Sequence, residues 1–166
     1  MKLQVEQARK EEGQQFPFSF ALEAALLGGV DAFPWKTHDV VVHGSYWFDG
    51  QYTVIEGIIE TDGTYVCSRC LTPVSVNRVE SFKEKYGEGD DLPDDVLPYN
   101  GEYIDLTDTV REVLILSEPM QVLCRPDCKG LCPQCGANLN DGPCSCPTDH
   151  IDPRLAVLGD LLKLKN

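Results

Sequence analysis

The chain has 166 residues, 42% apolar and 25% charged, enough for one domain with a real core. Its formal charge of −13 excludes a surface that coats RNA broadly. It holds no apolar run of about 18 residues and so no membrane-spanning segment. Met1 to Phe20 mixes Lys2, Arg9 and Lys10 with Glu6, Glu11 and Glu12, which does not read as a secretory signal, and a cytoplasmic location is expected.

In chain order, Phe20 to Leu27 reads as a short apolar helix closed by Gly28-Gly29. Val40 to Phe48 is β-rich, Asp49-Gly50 is a hairpin turn, and Tyr52 to Ile59 returns as a second strand. Thr61 to Thr64 reads as another turn, after which Tyr65-Val66 leads into Cys67 and Cys70. Pro73 to Phe82 alternates through Val74 and Val76 as a further strand. Residues 84–101 hold six acids, three glycines and two prolines and read as a mobile acidic loop. Thr107 to Ser117 places Val110, Val113, Leu114 and Ser117 at helical spacing, and Pro119 ends the run. Residues 117–150 are the cysteine-rich segment. Asp152-Pro153 is a helix start, with Leu155, Leu158, Leu161 and Leu162 as an apolar stripe beyond it. The expected fold is a single α+β domain over residues 1–166: an antiparallel β-meander covered by a few short helices, with zinc knuckles.

Cys67, Cys70, Cys124, Cys128, Cys132, Cys135, Cys144 and Cys146 form four close pairs, C-x2-C, C-x3-C, C-x2-C and C-x-C. A C-x2-C turn aims two thiolates at one point, about 2.3 Å from a shared zinc, and such pairs are ligand donors by geometry. Pro133 stiffens the turn at Cys132 and Cys135, and Gly136 can take the positive φ that aims backbone N–H groups at the sulfurs. All eight cysteines are therefore read as zinc ligands rather than disulfide partners. Closing the short loop favours Cys132, Cys135, Cys144 and Cys146 as one site, leaving Cys67, Cys70, Cys124 and Cys128 for the other. A ribbon pairing Cys67 and Cys70 with Cys132 and Cys135 is the rival arrangement. His150 is a further candidate ligand, although a solvated loop histidine is the simpler reading.

No catalytic set emerges. Asp90, Asp91, Asp94 and Asp95 sit in the Gly/Pro-rich loop with no element to aim them. His38 and His43 lack a nucleophile, because a thiolate in a closed four-ligand site neither attacks nor leaves a position for water. A non-enzymatic protein without a small-molecule substrate is expected. Acids dominate residues 1–65 (10 acidic, 4 basic) and 80–116 (11 acidic, 3 basic). The cysteine-bearing segments are the near-neutral exceptions. Arg69, Arg78, Arg125 and Lys129 lie beside the pairs, which makes them candidate contacts to RNA or to a partner.

The run from Cys67-Ser68-Arg69-Cys70-Leu71-Thr72-Pro73 continues through Cys124 and Cys128-Lys129-Gly130-Leu131-Cys132-Pro133-Gln134-Cys135-Gly136-Ala137-Asn138-Leu139-Asn140. Cys144-Ser145-Cys146 and Asp152-Pro153-Arg154-Leu155-Ala156-Val157-Leu158 close it. This order, over about residues 40–166, resembles the bacterial YceD family of large ribosomal RNA subunit accumulation proteins. The resemblance implies a cytoplasmic, non-catalytic factor needed for normal levels of large-subunit ribosomal RNA, with the cysteines as ligands. Its expected partners are that RNA or a basic ribosomal protein in a precursor particle. A zinc-dependent transcription or stress regulator acting through protein contacts is the alternative reading, and a thiol redox enzyme the third.

Overall fold

Alternating apolar and polar side chains organise most of the computed structural model of the chain, which describes residues 1–29, 31–89 and 91–147. The elements are β1 (Lys2–Gln4), α1 (Glu6–Lys10), β2 (Phe16–Glu23), a 3-10 turn (Ala24–Leu27), β3 (Asp39–Phe48) and β4 (Thr53–Val66). After them come β5 (Pro73–Gly87), β6 (Val96–Pro98), β7 (Tyr103–Asp105) and α2 (Thr107–Leu116). The architecture is α+β: a five-stranded sheet in the order β2-β3-β4-β5-β6, a two-stranded sheet of β1 and β7, and few helices. Strands β2 to β5 pair antiparallel, and β6 joins β5 in parallel.

One face of the large sheet is apolar. Phe18, Val40, Val42, Ile55, Ile59, Phe82 and Tyr86 are buried there with Trp35, Leu27, Ile104 and Leu106. Helix α2 adds Val110 and Leu114, one turn apart on one side of the helix. Phe18, Gly44, Gly57 and Phe82 form one cross-strand row. A Cβ at Gly57 would lie 2.9 Å from the Phe82 ring, so the glycine makes room for the aromatic beside it.

A charged clamp joins β5 to the end of α2. Arg78 is only 4% exposed. Its guanidinium donates to Glu118 Oε1 (2.9 Å), Glu80 Oε1 (3.0 Å), Ser117 Oγ (2.7 Å) and the Leu114 carbonyl (3.2 Å). Glu118 also accepts from Trp35 Nε1 (2.7 Å) and the Tyr65 hydroxyl (3.0 Å). Burial, set against the nearby Arg78 charge, pushes the Tyr65 hydroxyl up to about 12.

Several expectations are corrected. Phe20 is in strand, not helix, because Phe16, Phe18, Phe20 and Leu22 alternate in register with Tyr46, Gly44, Val42 and Val40. Only Ala24–Leu27 curls into a 3-10 turn. Thr61 to Thr64 is no turn: Thr61, Gly63 and Tyr65 continue the inward alternation, and β4 runs unbroken to Val66. The acidic loop is shorter than residues 84–101, since β5 reaches Gly87 and Val96–Pro98 forms β6. There Val96 and Tyr99 are buried and Lys85 pairs with Asp95 at 2.9 Å. The chain divides into two compact units, Met1–Ser68 with Thr72–Cys124, and Arg69–Leu71 with Arg125–Asn166. Asp90, His150 and the helix expected from Asp152 lie outside the described residues.

Candidate metal centres

The eight sulfurs fall into two groups of four, each with its ligand atoms within 4.8 Å of one another: Cys67, Cys70, Cys124 and Cys128, and Cys132, Cys135, Cys144 and Cys146. This is the grouping that loop closure favours over the ribbon.

Between β4 and β5 the chain makes the Cys67 turn. The Cys67 N–H donates to the Thr72 carbonyl at 2.9 Å, closing the turn on itself. The Ser68 N–H donates to the Val122 carbonyl at 2.8 Å, and the Val122 N–H to Ser68 Oγ at 3.3 Å. These bonds hold the segment before Cys124 beside the Cys67 turn. Leu71, the residue after Cys70, has φ +60°. Gly136, the residue after Cys135, has φ +74°. Both C-x2-C turns therefore end in the same left-handed step, which is strained for leucine and unstrained for glycine.

Within the second unit the Cys132 turn is a small closed loop. The Cys132 N–H donates to the Ala137 carbonyl at 2.8 Å, the Gly136 N–H to the Cys132 carbonyl at 2.9 Å, and the Leu139 N–H to the Gly130 carbonyl at 2.9 Å. Backbone N–H groups of Cys135 and Gln134 point at the Cys132 sulfur and hold its pKa down at about 6. The neighbouring Cys146 is pushed up to about 12, chiefly by hydrogen bonding with the Cys135 sulfur. Four thiols this close cannot all ionise without a cation among them, which fits a thiolate-bound metal. A closed set of four sulfurs is the donor chemistry of structural zinc, or of an iron–sulfur cluster.

Asn140, which the sequence offers only as the end of the Cys132 run, organises this region. Its Nδ2 donates to Cys128 Sγ at 3.3 Å, and its Oδ1 accepts from the Lys129 N–H at 2.8 Å and from Arg125 Nη2 at 2.8 Å. A side-chain amide twelve residues past Cys128 carries no periodic signal, so only the folded chain reveals its role. Arg69 Nη1 donates to the Cys128 carbonyl at 2.9 Å, and Gly130 is tight against the Arg69 carbonyl, 3.1 Å from where a Cβ would sit.

The candidate contacts thus have different settings. Arg69 and Arg125 are exposed residues whose guanidiniums also brace the loop, and Lys129 is exposed. Arg78 is instead buried, with its guanidinium paired to Glu118 and Glu80 inside the fold. Among the described residues no helix is long and apolar enough to cross a membrane.

Comparison with known proteins adds identity to this geometry. An uncharacterized protein of Mycobacterium tuberculosis is 34% identical over 122 residues, covering 66% of this chain and 58% of its own length. The chain thus spans little more than half of that relative. The uncharacterized protein YlbN of Bacillus subtilis is 29% identical over 98% of this chain and 97% of its own. A protein of Arabidopsis thaliana named large ribosomal RNA subunit accumulation protein YCED homolog 1, chloroplastic, is 36% identical over 58 residues, 35% of this chain and 18% of the plant protein. No solved structure matches. Residues 55–162 match the family described as large ribosomal RNA subunit accumulation protein YceD, and the chain belongs to that family.

Proposed function

We propose that this chain is a non-catalytic, zinc-binding factor of the cytoplasm that supports accumulation of large-subunit ribosomal RNA during ribosome assembly. The observation that carries the reading is the pair of four-sulfur sets in a member of this family. Soft thiolates in a closed tetrahedral set suit zinc. Such a set has no open position for water or substrate, which supports a structural rather than a hydrolytic role. Zinc bound by Cys132, Cys135, Cys144 and Cys146 would contribute folding energy to a segment that has little apolar core among its described residues. Arg69, Arg125 and Lys129 are the cations through which this segment would meet ribosomal RNA in a precursor particle.

Metal analysis of protein purified without chelator should give about two zinc ions per chain. Cys132→Ser and Cys67→Ser should each remove about one of them. In cells lacking the gene, the wild-type chain should restore large-subunit ribosomal RNA and Cys132→Ser should not. Metal near zero with eight titratable thiols would reject the zinc reading. Full restoration by the metal-free variants would separate the ribosomal role from the metal.

A further inference from the structure

The side of the five-stranded sheet facing away from the core has features that the cysteines do not explain, and a surface for the basic protein partner expected above would deepen the ribosomal reading. Val41, Ile58 and Val79 are 36%, 38% and 57% exposed on β3, β4 and β5. Val41, Glu60 and Val79 form one cross-strand row, and His43, Ile58 and Ser81 the next. Beside them is a concavity of about 490 Å³, lined by His43, Ser45, Glu56, Ile58, Ser81 and Lys83 over the paired backbones of Gly44 and Gly57.

The charge on this face is one-sided. Glu23 and Asp39 sit directly opposite one another across β2 and β3, an unfavourable like-charge pair. Glu60 and Asp62 follow on β4. None of these four has a salt-bridge partner among the described residues. The two lysines of the face are already engaged, Lys83 with Glu56 at 3.3 Å and over the Trp47 ring, Lys85 with Asp95. The first unit as a whole carries 22 acidic against 8 basic side chains, the second 5 against 6. A nucleic acid would meet carboxylates here, and a second copy would meet its own charge.

We propose that this outer face docks a basic protein segment with aliphatic anchors. The anchors would cover Val41, Ile58 and Val79, while Lys or Arg side chains would relieve the Glu23–Asp39 opposition and pair with Glu60 and Asp62. Apolar contact would hold the segment, and the charges would speed its arrival and fix its register. The inference concerns a surface apart from the cysteines and stands independently of the metal reading.

The test is a nuclear magnetic resonance titration of the full-length chain with a synthetic peptide alternating arginine and valine. Shifts should map to the outer residues of β3, β4 and β5. Glu60→Lys and Asp39→Lys should each weaken binding about fivefold at low salt, the effect fading near 1 M where the screening length is about 3 Å. Val79→Ser should weaken it at both salts. All three positions are exposed, so the melting temperature should hold and report that the fold is intact. The proposal is overturned if the shifts fall elsewhere or if these variants bind as the wild type does. It is equally overturned if an oligonucleotide of the same length shifts the face. Self-association through it, or nuclear Overhauser contacts to it from residues 148–166, would also overturn it.

Discussion

At the scale of single residues, the two C-x2-C turns differ in one instructive way. Both need a left-handed residue after the second cysteine, and only one has glycine there. Leu71 pays roughly 1–2 kcal/mol for that conformation and is 62% exposed, so its side chain returns little by burial. Leu71→Gly should therefore stabilise the fold by up to about 1 kcal/mol, after the entropy that glycine loses. Chemical denaturation of the metal-loaded protein measures this, and a loss of stability would show that Leu71 is held by contacts worth more than the strain. Asn140 teaches the complementary point. The Cys-Pro-Gln-Cys-Gly run is legible because its spacing brings two sulfurs together locally, whereas Asn140 reaches Cys128 only because the chain folds back.

At the scale of elements, the Arg78 clamp shows why flanking position alone misleads. In the sequence Arg78 is a cation eight residues from Cys70, as available as Arg69. In the fold it lies on the inward side of β5, beside Ser117 and Glu118, which follow the end of α2. A buried arginine with its carboxylate partners is costly to break from one side. Arg78→Met should destabilise the protein by about 3 kcal/mol or more, since Glu118 keeps its charge in a pocket with Trp35 and Tyr65. Thermal unfolding gives the number, and a change below about 1 kcal/mol would mean that water enters to solvate Glu118. Charge reversal at Arg78 would report this loss of stability and not the loss of a partner. Strand β2 carries a similar lesson. Phe20 to Leu27 has enough apolar residues for a helix, but Phe16 and Phe18 upstream extend a period of two, and pairing along β3 decides in favour of strand.

At the scale of the whole molecule, the charge is divided along the chain rather than spread over it. The first unit has a formal net charge of −14 and the second +1, before any thiolate is counted. Binding to naked large-subunit ribosomal RNA should therefore be weak and steeply salt-dependent, each neutralised phosphate adding about one unit of slope. Arg125→Glu and Lys129→Glu should weaken it further, while Glu60→Lys should strengthen it or leave it unchanged. Filter binding across a salt series checks this. Tight, salt-insensitive binding would mean that recognition rests on stacking or base contacts rather than on these few cations.

The four close cysteine pairs and the glycine after Cys135 are legible without the fold, because they are local properties written in consecutive residues. The sequence by itself also determined helix α2 and strand β3, whose periods are complete within ten residues each. That Thr61 to Thr64 continues β4 follows from packing instead, since β5 supplies the partner for a stretch that otherwise reads as a turn. The tertiary structure alone decided that Val96–Pro98 leaves the acidic loop to join β5, because two buried side chains outweigh the local preference of a Gly/Pro-rich segment. And it alone removed Arg78 from the surface. Which side of a strand faces the core depends on what packs against it, and that partner lies forty residues away at Glu118.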